Sequence, residues 1–233
     1  MIEIETIASS SKGNCYKISD GKTTLMIECG LRLKQIQKAF NFELSGVLGC
    51  LISHEHSDHS KSVKQMMKAG IDCYMSEGTS EALNLYSHRL KTVKSKKSFK
   101  IGTFAIMAFD TQHDSKEPIG FLIQSGKEKI LFATDTFYLK YKFKKLTHIM
   151  IECNYSKEIL DKNVEDGKVS LFLKDRIVKS HFSLENLKEF FEANDLSECK
   201  EIHLLHLSNN NSNPELFKNE IQKLTGIPVY IRG

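Results

Sequence analysis

Between Ser53 and Ser60 the chain reads SHEHSDHS, which gathers His54, His56, Asp58 and His59 into one short string at the end of the apolar run GVLGCLIS. Imidazoles two apart at a strand end project to the same side, and Asp58 and His59 then enter a turn and helix start, so four donors can converge on a small volume. Imidazole and carboxylate without thiolate suit Zn²⁺, Mn²⁺ or Fe²⁺ and leave coordination positions open for water and substrate, unlike a closed cysteine-rich structural site. Two ions can share such a cluster, but they need further donors. Later strand ends supply candidates: His113 follows FAIMAFD in DTQHDS, Asp135 follows KILFAT in TDT, and His206 lies in EIHLLHLS. Each stands where a buried strand opens into a loop, the usual place for an active site in an α/β fold. Taken singly, each reads as a satisfied core polar group. As a set behind HxHxDH they read as metal ligands.

The elements that must position these residues follow from hydrophobic periodicity. Short strands are expected at IEIETIA, CYKIS, TTLMIE and GVLGCLIS, with amphipathic helix after Gly30 and over residues 60–68. SFKIGTFAIMAF, GFLIQS, KILFAT and HIMIEC continue the β pattern, and Gly126 in SGKEK marks a turn between two of them. SLENLKEFFEAN, capped by Ser183, and NPELFKNEIQKL, opened by Asn213 and Pro214, read as helices around the buried strand EIHLLHLS. Residues 161–180 show no clear period and read as a long loop. Mixed strands with outer helices predict an α/β sandwich, and no linker or repeat divides residues 1–233, which predicts one domain.

Composition excludes several classes. With 40% hydrophobic residues in 233 positions, the chain can fill a core, and no apolar run approaches the roughly 20 residues that span a bilayer. The N-terminus carries Glu3 and Glu5 where an export signal needs basic residues, so a cytoplasmic location and no membrane partner are expected. Six scattered cysteines without a CxxC pair read as small buried hydrophobes rather than a disulfide framework. The net charge of +4 is too small to identify a nucleic-acid binder. Residues 88–100, HRLKTVKSKKSFK, contain no acid; they read either as a solvated loop or as a contact surface for phosphates. Only four arginines are present, which argues against base reading by bidentate guanidinium groups.

The run of motifs ASSSKGN, IECG, SHEHSDHS, DTQHDS, ATDT, IECN and HLSNNNS, spread over nearly the whole chain, resembles the metallo-β-lactamase-fold hydrolases. Within them it is most similar to the YycJ/WalJ-type subfamily, with ribonuclease Z and PhnP as more distant relatives. The resemblance implies an αββα sandwich of two mixed β-sheets with outer helices. It also implies two divalent metal ions, Zn²⁺ or Mn²⁺ with Fe²⁺ as an alternative. His54, His56 and His113 would hold one ion, Asp58, His59 and His206 the other, and Asp135 would bridge them. Glu28 departs from the aspartate common at that position, which touches the support of the site rather than its ligands. His181 in KSHFSLEN matches the family's late histidine before a helix, and Glu152 the acid that partners it in proton transfer, with Asp58 also placed at the catalytic centre. Against this stands the plainer reading of His181 and Glu152 as polar residues flanking a helix and a strand. His88, His148 and His203 read as ordinary surface or core residues. The opening loop, with Ser11, Lys12 and Asn14 beside Gly13, resembles a substrate-contacting segment.

Three functions fit. The leading one is a binuclear metal phosphodiesterase that cleaves DNA or RNA with hydroxide bridging the metals, its substrate tracked by Lys94, Lys96 and Lys97 with Lys91 and Lys100 nearby. The second is hydrolysis of a small substrate such as a cyclic nucleotide, another cyclic phosphodiester, a lactone or a thioester, which calls for a closed pocket. The third, a metal-binding regulator without catalysis, conflicts with the complete ligand set. The chain has no large inserted domain, so any lid must come from a loop such as 161–180 or from a partner subunit, and a homo-oligomer is compatible with the sequence.

Overall fold

The computed structural model describes residues 1–231, which fall into two compact units. Unit 1 comprises Met1–Asp110 and Ser115–Glu128; unit 2 comprises Thr111–Asp114 and the chain from Lys129 onward. Their strands form two mixed β-sheets, one of six strands and one of seven, accompanied by helices. The α/β class expected from the sequence is therefore observed.

Unit 1 opens with β1 (Glu3–Ser10) antiparallel to β2 (Gly13–Ser19), which pairs antiparallel with β3 (Thr24–Ile27). From β3 the pairing turns parallel, through β4 (Val47–Leu51), β5 (Cys73–Met75) and β6 (Leu90–Thr92). The crossovers carry α1 (Leu33–Ala39), α2 (Ser57–Ser60), α3 (Val63–Lys68) and α4 (Glu77–Ala82). Parallel strands send all their C-terminal ends to one edge, so Glu28, the HxHxDH string and the lysine-rich turn after β6 emerge on the same side of this sheet. Cys29, Cys50, Cys73, Met26, Met66 and Met75 form the packed interior beneath the helices. All six cysteines are free, and all but Cys199 are buried. An antiparallel ladder of β7 (Ser98–Ile101), β8 (Phe104–Asp110) and β9 (Ile119–Ser125) completes the unit.

Unit 2 is a parallel ladder of β10 (Glu128–Ala133), β11 (His148–Glu152), β12 (Glu201–Leu205) and β13 (Val229–Ile231). Its helices are α5 (Lys157–Glu165), α6 (Leu171–Ser180), α7 (Leu184–Glu192) and α8 (Pro214–Thr225). β11 is buried along its whole length, as the apolar run Ile149–Ile151 requires of a strand covered on both faces. α7 forms because Leu184, Leu187, Phe190 and Phe191 repeat at helical spacing and the Ser183 side chain accepts the Asn186 amide. α8 starts from Asn213 and Pro214, as the sequence predicts, and stops at Gly226 in the left-handed conformation.

Residues 161–180 are not a loop. They hold most of α5 and all of α6, the latter capped by Ser170, whose side chain accepts the Leu173 amide. α6 buries only Ser180, and Leu171, Phe172, Leu173 and Val178 are exposed. Without an inward-facing stripe it has no period to read. The single run SFKIGTFAIMAF likewise divides into β7 and β8 at Gly102, and the short β5, β6, β13 and α4 escape the pattern altogether. Among the described residues no helix is long and apolar enough to cross a membrane.

Candidate metal centre

In unit 1 the HxHxDH string leaves β4 and winds into α2, one turn of helix that carries Asp58 and His59. The turn is strapped to the segment after β3: the Cys29 amide donates to the His59 carbonyl, the Ser62 amide to the Cys29 carbonyl, and the Ser62 hydroxyl to the Leu31 carbonyl at 2.6 Å. Gly30 permits this approach, since a Cβ there would stand 1.6 Å from the Asp58 carbonyl oxygen. His54 is buried, with Nδ1 2.8 Å from the Ser53 hydroxyl, and its Nε2 is 3.1 Å from His56 Nδ1. Its ring also lies 4.2 Å from that of His59, centroid to centroid. His59 Nε2 is 3.3 Å from Asp58 Oδ2, and its Nδ1 faces Glu28 Oε1 at 3.6 Å. Glu28 also accepts the Ser53 amide, so the glutamate at this position supports His59 and the strand end together. Burial raises the Glu28 pKa, which the neighbouring His59 only partly offsets.

Asn14 belongs to this support. It is fully buried, its Nδ2 donates to the Ser10 and Asp58 carbonyls and lies 3.2 Å from His59 Nε2, and its Oδ1 accepts the Tyr16 hydroxyl. Ser11 and Lys12, the other candidates in the opening loop, are exposed at the β1–β2 turn. Lys94, Lys96 and Lys97 are exposed in the turn between β6 and β7.

In unit 2 the parallel strand ends bring Asp135, Glu152 and His206 together. Asp135 Oδ2 is 3.5 Å from His113 Nε2 and Oδ1 is 3.1 Å from His206 Nδ1, so its two oxygens face two different imidazoles. His113 donates from Nδ1 to the Ser180 carbonyl at 2.9 Å, which leaves Nε2 as the lone-pair nitrogen on the Asp135 side. Burial lowers its pKa against the pull of Asp135, favouring the neutral ring that a metal ligand must be. Glu152 is fully buried and accepts four donors: the Thr136 and Phe182 amides on Oε2 at 3.0 and 3.1 Å, His181 Nδ1 on Oε1 at 2.6 Å, and His206 Nδ1 on Oε1 at 3.1 Å. Burial opposes charge on both members of the Glu152–His181 pair. Their mutual attraction outweighs it, holding the carboxyl below and the imidazole above their ordinary values. One ligand atom from each of Asp135, Glu152, His181 and His206 fits within 4.8 Å of the others.

Three residues at strand ends, Glu28 (φ 60°), Asp135 (φ 44°) and His206 (φ 52°), adopt left-handed backbone without being glycine. Such conformations persist where the surroundings hold the side chain in place.

The donor set fits divalent metal. His54–His56, His59–Asp58 and His113–Asp135 stand 3.1, 3.3 and 3.5 Å apart, and two ligand atoms on one tetrahedral ion with ordinary bonds are separated by about 3.3 Å. Histidine, aspartate and glutamate make up these clusters. A family model described as a beta-lactamase superfamily domain matches residues 23–192. The chain belongs to the metallo-β-lactamase superfamily. Within the superfamily it is 30% identical over 227 residues to the exodeoxyribonuclease WalJ of Streptococcus pneumoniae, covering 90% of this chain and 83% of that protein. It is 24% identical to the exodeoxyribonuclease YycJ of Bacillus anthracis, over 96% of this chain and 89% of that one. Among solved structures, the metallo-β-lactamase fold protein YhfI of Bacillus subtilis superposes with a TM-score of 0.76 at 16% identity, covering 99% of this chain and 95% of its own. The superfamily's hydrolase chemistry and the His/Asp clusters of this chain agree on a metal-dependent hydrolase.

Sequence reasoning paired Glu152 with His181 alone, whereas the carboxylate is shared with His206 and two backbone amides. It also missed Ser53 and Ser180, which fix the His54 and His113 rings. A serine directly before the first histidine was the one available signal; a backbone carbonyl far along the chain leaves none. His148 and His203 lie outside the clusters, His148 beside the Thr147 hydroxyl and His203 stacked on Tyr230, in keeping with the ordinary roles expected of them.

Proposed function

We propose that this chain is a binuclear metal-dependent phosphodiesterase that degrades DNA as an exonuclease, with His54, His56, Asp58, His59, His113, Asp135 and His206 holding two divalent ions. The observation that carries the reading is the gathering of Asp135, Glu152, His181 and His206 at the unit 2 strand ends, one ligand atom of each within 4.8 Å of the others, with Asp135 Oδ2 also 3.5 Å from His113 Nε2. DNA as substrate rests on the two exodeoxyribonuclease relatives. When bound, the ions supply a nucleophile from water and offset charge on the attacked phosphoryl group.

The protein's own contribution lies in placement and in one proton. Ser53, Ser180 and Glu28 orient imidazoles so that their lone-pair nitrogens point into the site. His181, held by Glu152 and kept protonated by it, donates from Nε2 to the departing alkoxide oxygen as the P–O bond breaks, and recovers a proton from solvent. His181→Ala then costs about 10²-fold or more on nucleotide esters and much less on an activated nitrophenyl ester, whose leaving group needs little protonation.

The test is end-labelled linear DNA, closed circular DNA and RNA of matched length, incubated with protein reconstituted in Zn²⁺ or Mn²⁺. Stepwise shortening of linear DNA alone supports the reading. Cleavage of closed circles, or hydrolysis of cyclic nucleotides in preference to DNA, would overturn it.

A further inference from the structure

The segment that follows Asp135 in unit 2, residues 138–145, reads YLKYKFKK: aromatic rings alternate with lysines and no acid interrupts them. Its conformation is fixed by alternation. Leu139 and Phe143 are buried, the Phe143 amide donates to Asn194 Oδ1 at 2.8 Å, and the Phe143 ring packs 6.4 Å from that of Phe190. Tyr138, Lys140, Lys142 and Lys144 consequently face outward, with Tyr138 55% exposed. Lys140 Nζ lies 5.3 Å from the centre of the Tyr141 ring, which aligns the cation with an aromatic face. Together with α7 this segment lines a groove of about 330 Å³ that Phe182 and Phe190 also line. One acid, Glu189, stands on the α7 wall.

The groove is built from the same segments as the unit 2 cluster. The Thr136 amide bonds Glu152 while the Thr136 hydroxyl donates to the Tyr138 carbonyl at 2.8 Å. Phe182 directly follows His181, and its amide bonds Glu152. The two segments that line the groove therefore also carry Asp135 and the proton donor. The amides of Asn186 and Asn194 donate to the Phe137 and Phe190 carbonyls, so the groove offers stacking and charge more than base-edge recognition.

We propose that this groove is a subsite for single-stranded DNA beside the scissile phosphate, in which Tyr138 stacks a base and Lys140 and Lys142 meet backbone phosphates. The proposal rests on the nuclease reading. Rings interleaved with cations are what a strand without sequence preference requires, because every base has a π-face and every nucleotide a charge. A volume of this order is at the small end of ligand pockets, enough for one base and its sugar rather than a duplex.

The test measures anisotropy of a fluorescein-labelled, single-stranded phosphorothioate oligothymidylate with the full metal-loaded chain across a salt series. Tyr138→Ala should weaken binding about 5- to 100-fold, while Tyr138→Phe retains it, because the ring and not the hydroxyl stacks. Lys140→Ala with Lys142→Ala should lower the logarithmic salt slope by about 1.4, about 0.7 for each phosphate contact on a single strand. Unchanged melting temperatures check that these exposed positions leave the fold intact. If wild-type protein binds the strand and neither set of variants weakens it, the subsite is refuted and the nuclease reading stands. Loss confined to the triple change of Lys94, Lys96 and Lys97 to Ala would move the strand to the β6–β7 turn and refute the subsite equally. If the wild-type chain binds no DNA at all, the nuclease reading falls and takes the subsite with it.

Discussion

Glu152→Gln is the sharpest perturbation available, because the isosteric amide changes one acceptor into a donor without opening a cavity. Four donors converge on this buried carboxylate, two of them backbone amides and two imidazoles. If the new NH₂ faced Thr136 and Phe182, two buried N–H groups would lose their acceptor at about 1–3 kcal/mol each. If it faces His181 and His206, each ring can move its proton from Nδ1 to Nε2 and accept instead. The second arrangement wins, since imidazoles tautomerise and backbone amides do not. Stability should then fall by only about 1–2 kcal/mol, the difference between charged and neutral hydrogen bonds. Function should fall far more. His206 would offer an N–H where an ion needs a lone pair, and His181 would lose the charge that keeps it protonated. Activity should drop about 10²- to 10⁴-fold with reduced metal content. Urea unfolding, metal analysis and hydrolysis of DNA, measured on one preparation, give all three quantities. A variant destabilised by more than about 4 kcal/mol, or one with wild-type activity and metal content, would refute this account of the carboxylate.

Under the proposed two-ion site, Asp135→Ala should lower metal content below that of any other single candidate-ligand variant, because a carboxylate between both ions would be lost; elemental analysis of variants purified side by side checks the order. Gly30→Ala should destabilise unit 1 by about 1–3 kcal/mol and displace α2, since the added carbon overlaps the Asp58 carbonyl; chemical denaturation and metal analysis should both register the change. Asp20, at the β2–β3 turn, is slightly disfavoured as a charge by burial. It nevertheless has its pKa held well below the usual carboxylate range by hydrogen bonds from Ser125, Thr103 and the Thr23 and Lys22 amides. A depressed folded pKa contributes stability that is complete above the unfolded value of about 3.9 and is lost as pH falls below it. Urea midpoints should therefore decline more steeply below pH about 4 in the wild-type chain than in Asp20→Asn.

The sequence was most informative where chemistry and periodicity coincide. The HxHxDH string, Asp135 and His206 announce themselves as polar donors at the ends of apolar strands, and within each unit parallel pairing brings such ends to one edge. α7 and α8 were readable from their caps and apolar spacing. α6 was not, because its Leu171, Phe172 and Leu173 face solvent and the rule that apolar residues mark the inside misleads there. The sharing of Glu152 among four donors, and the brace formed by Asn14, depend on segments far apart in sequence that meet only through the register of folded strands. The aromatic and basic run after Asp135 was visible as letters, but only the alternation of buried Leu139 and Phe143 turns it into a surface.

The left-handed backbone at Glu28, Asp135 and His206 stores strain on the order of 1 kcal/mol or more at each position. In the metal-free chain that strain is held by the contacts of the buried side chains, among them His206 Nδ1 on Glu152 Oε1 at 3.1 Å, so glycine there would relieve the backbone and lose more in unpaired polar groups. Under the proposed metal binding, an ion that binds only the folded chain adds stability that grows with its concentration. The unfolding temperature of this scaffold should then act as a gauge of how much metal is in the tube.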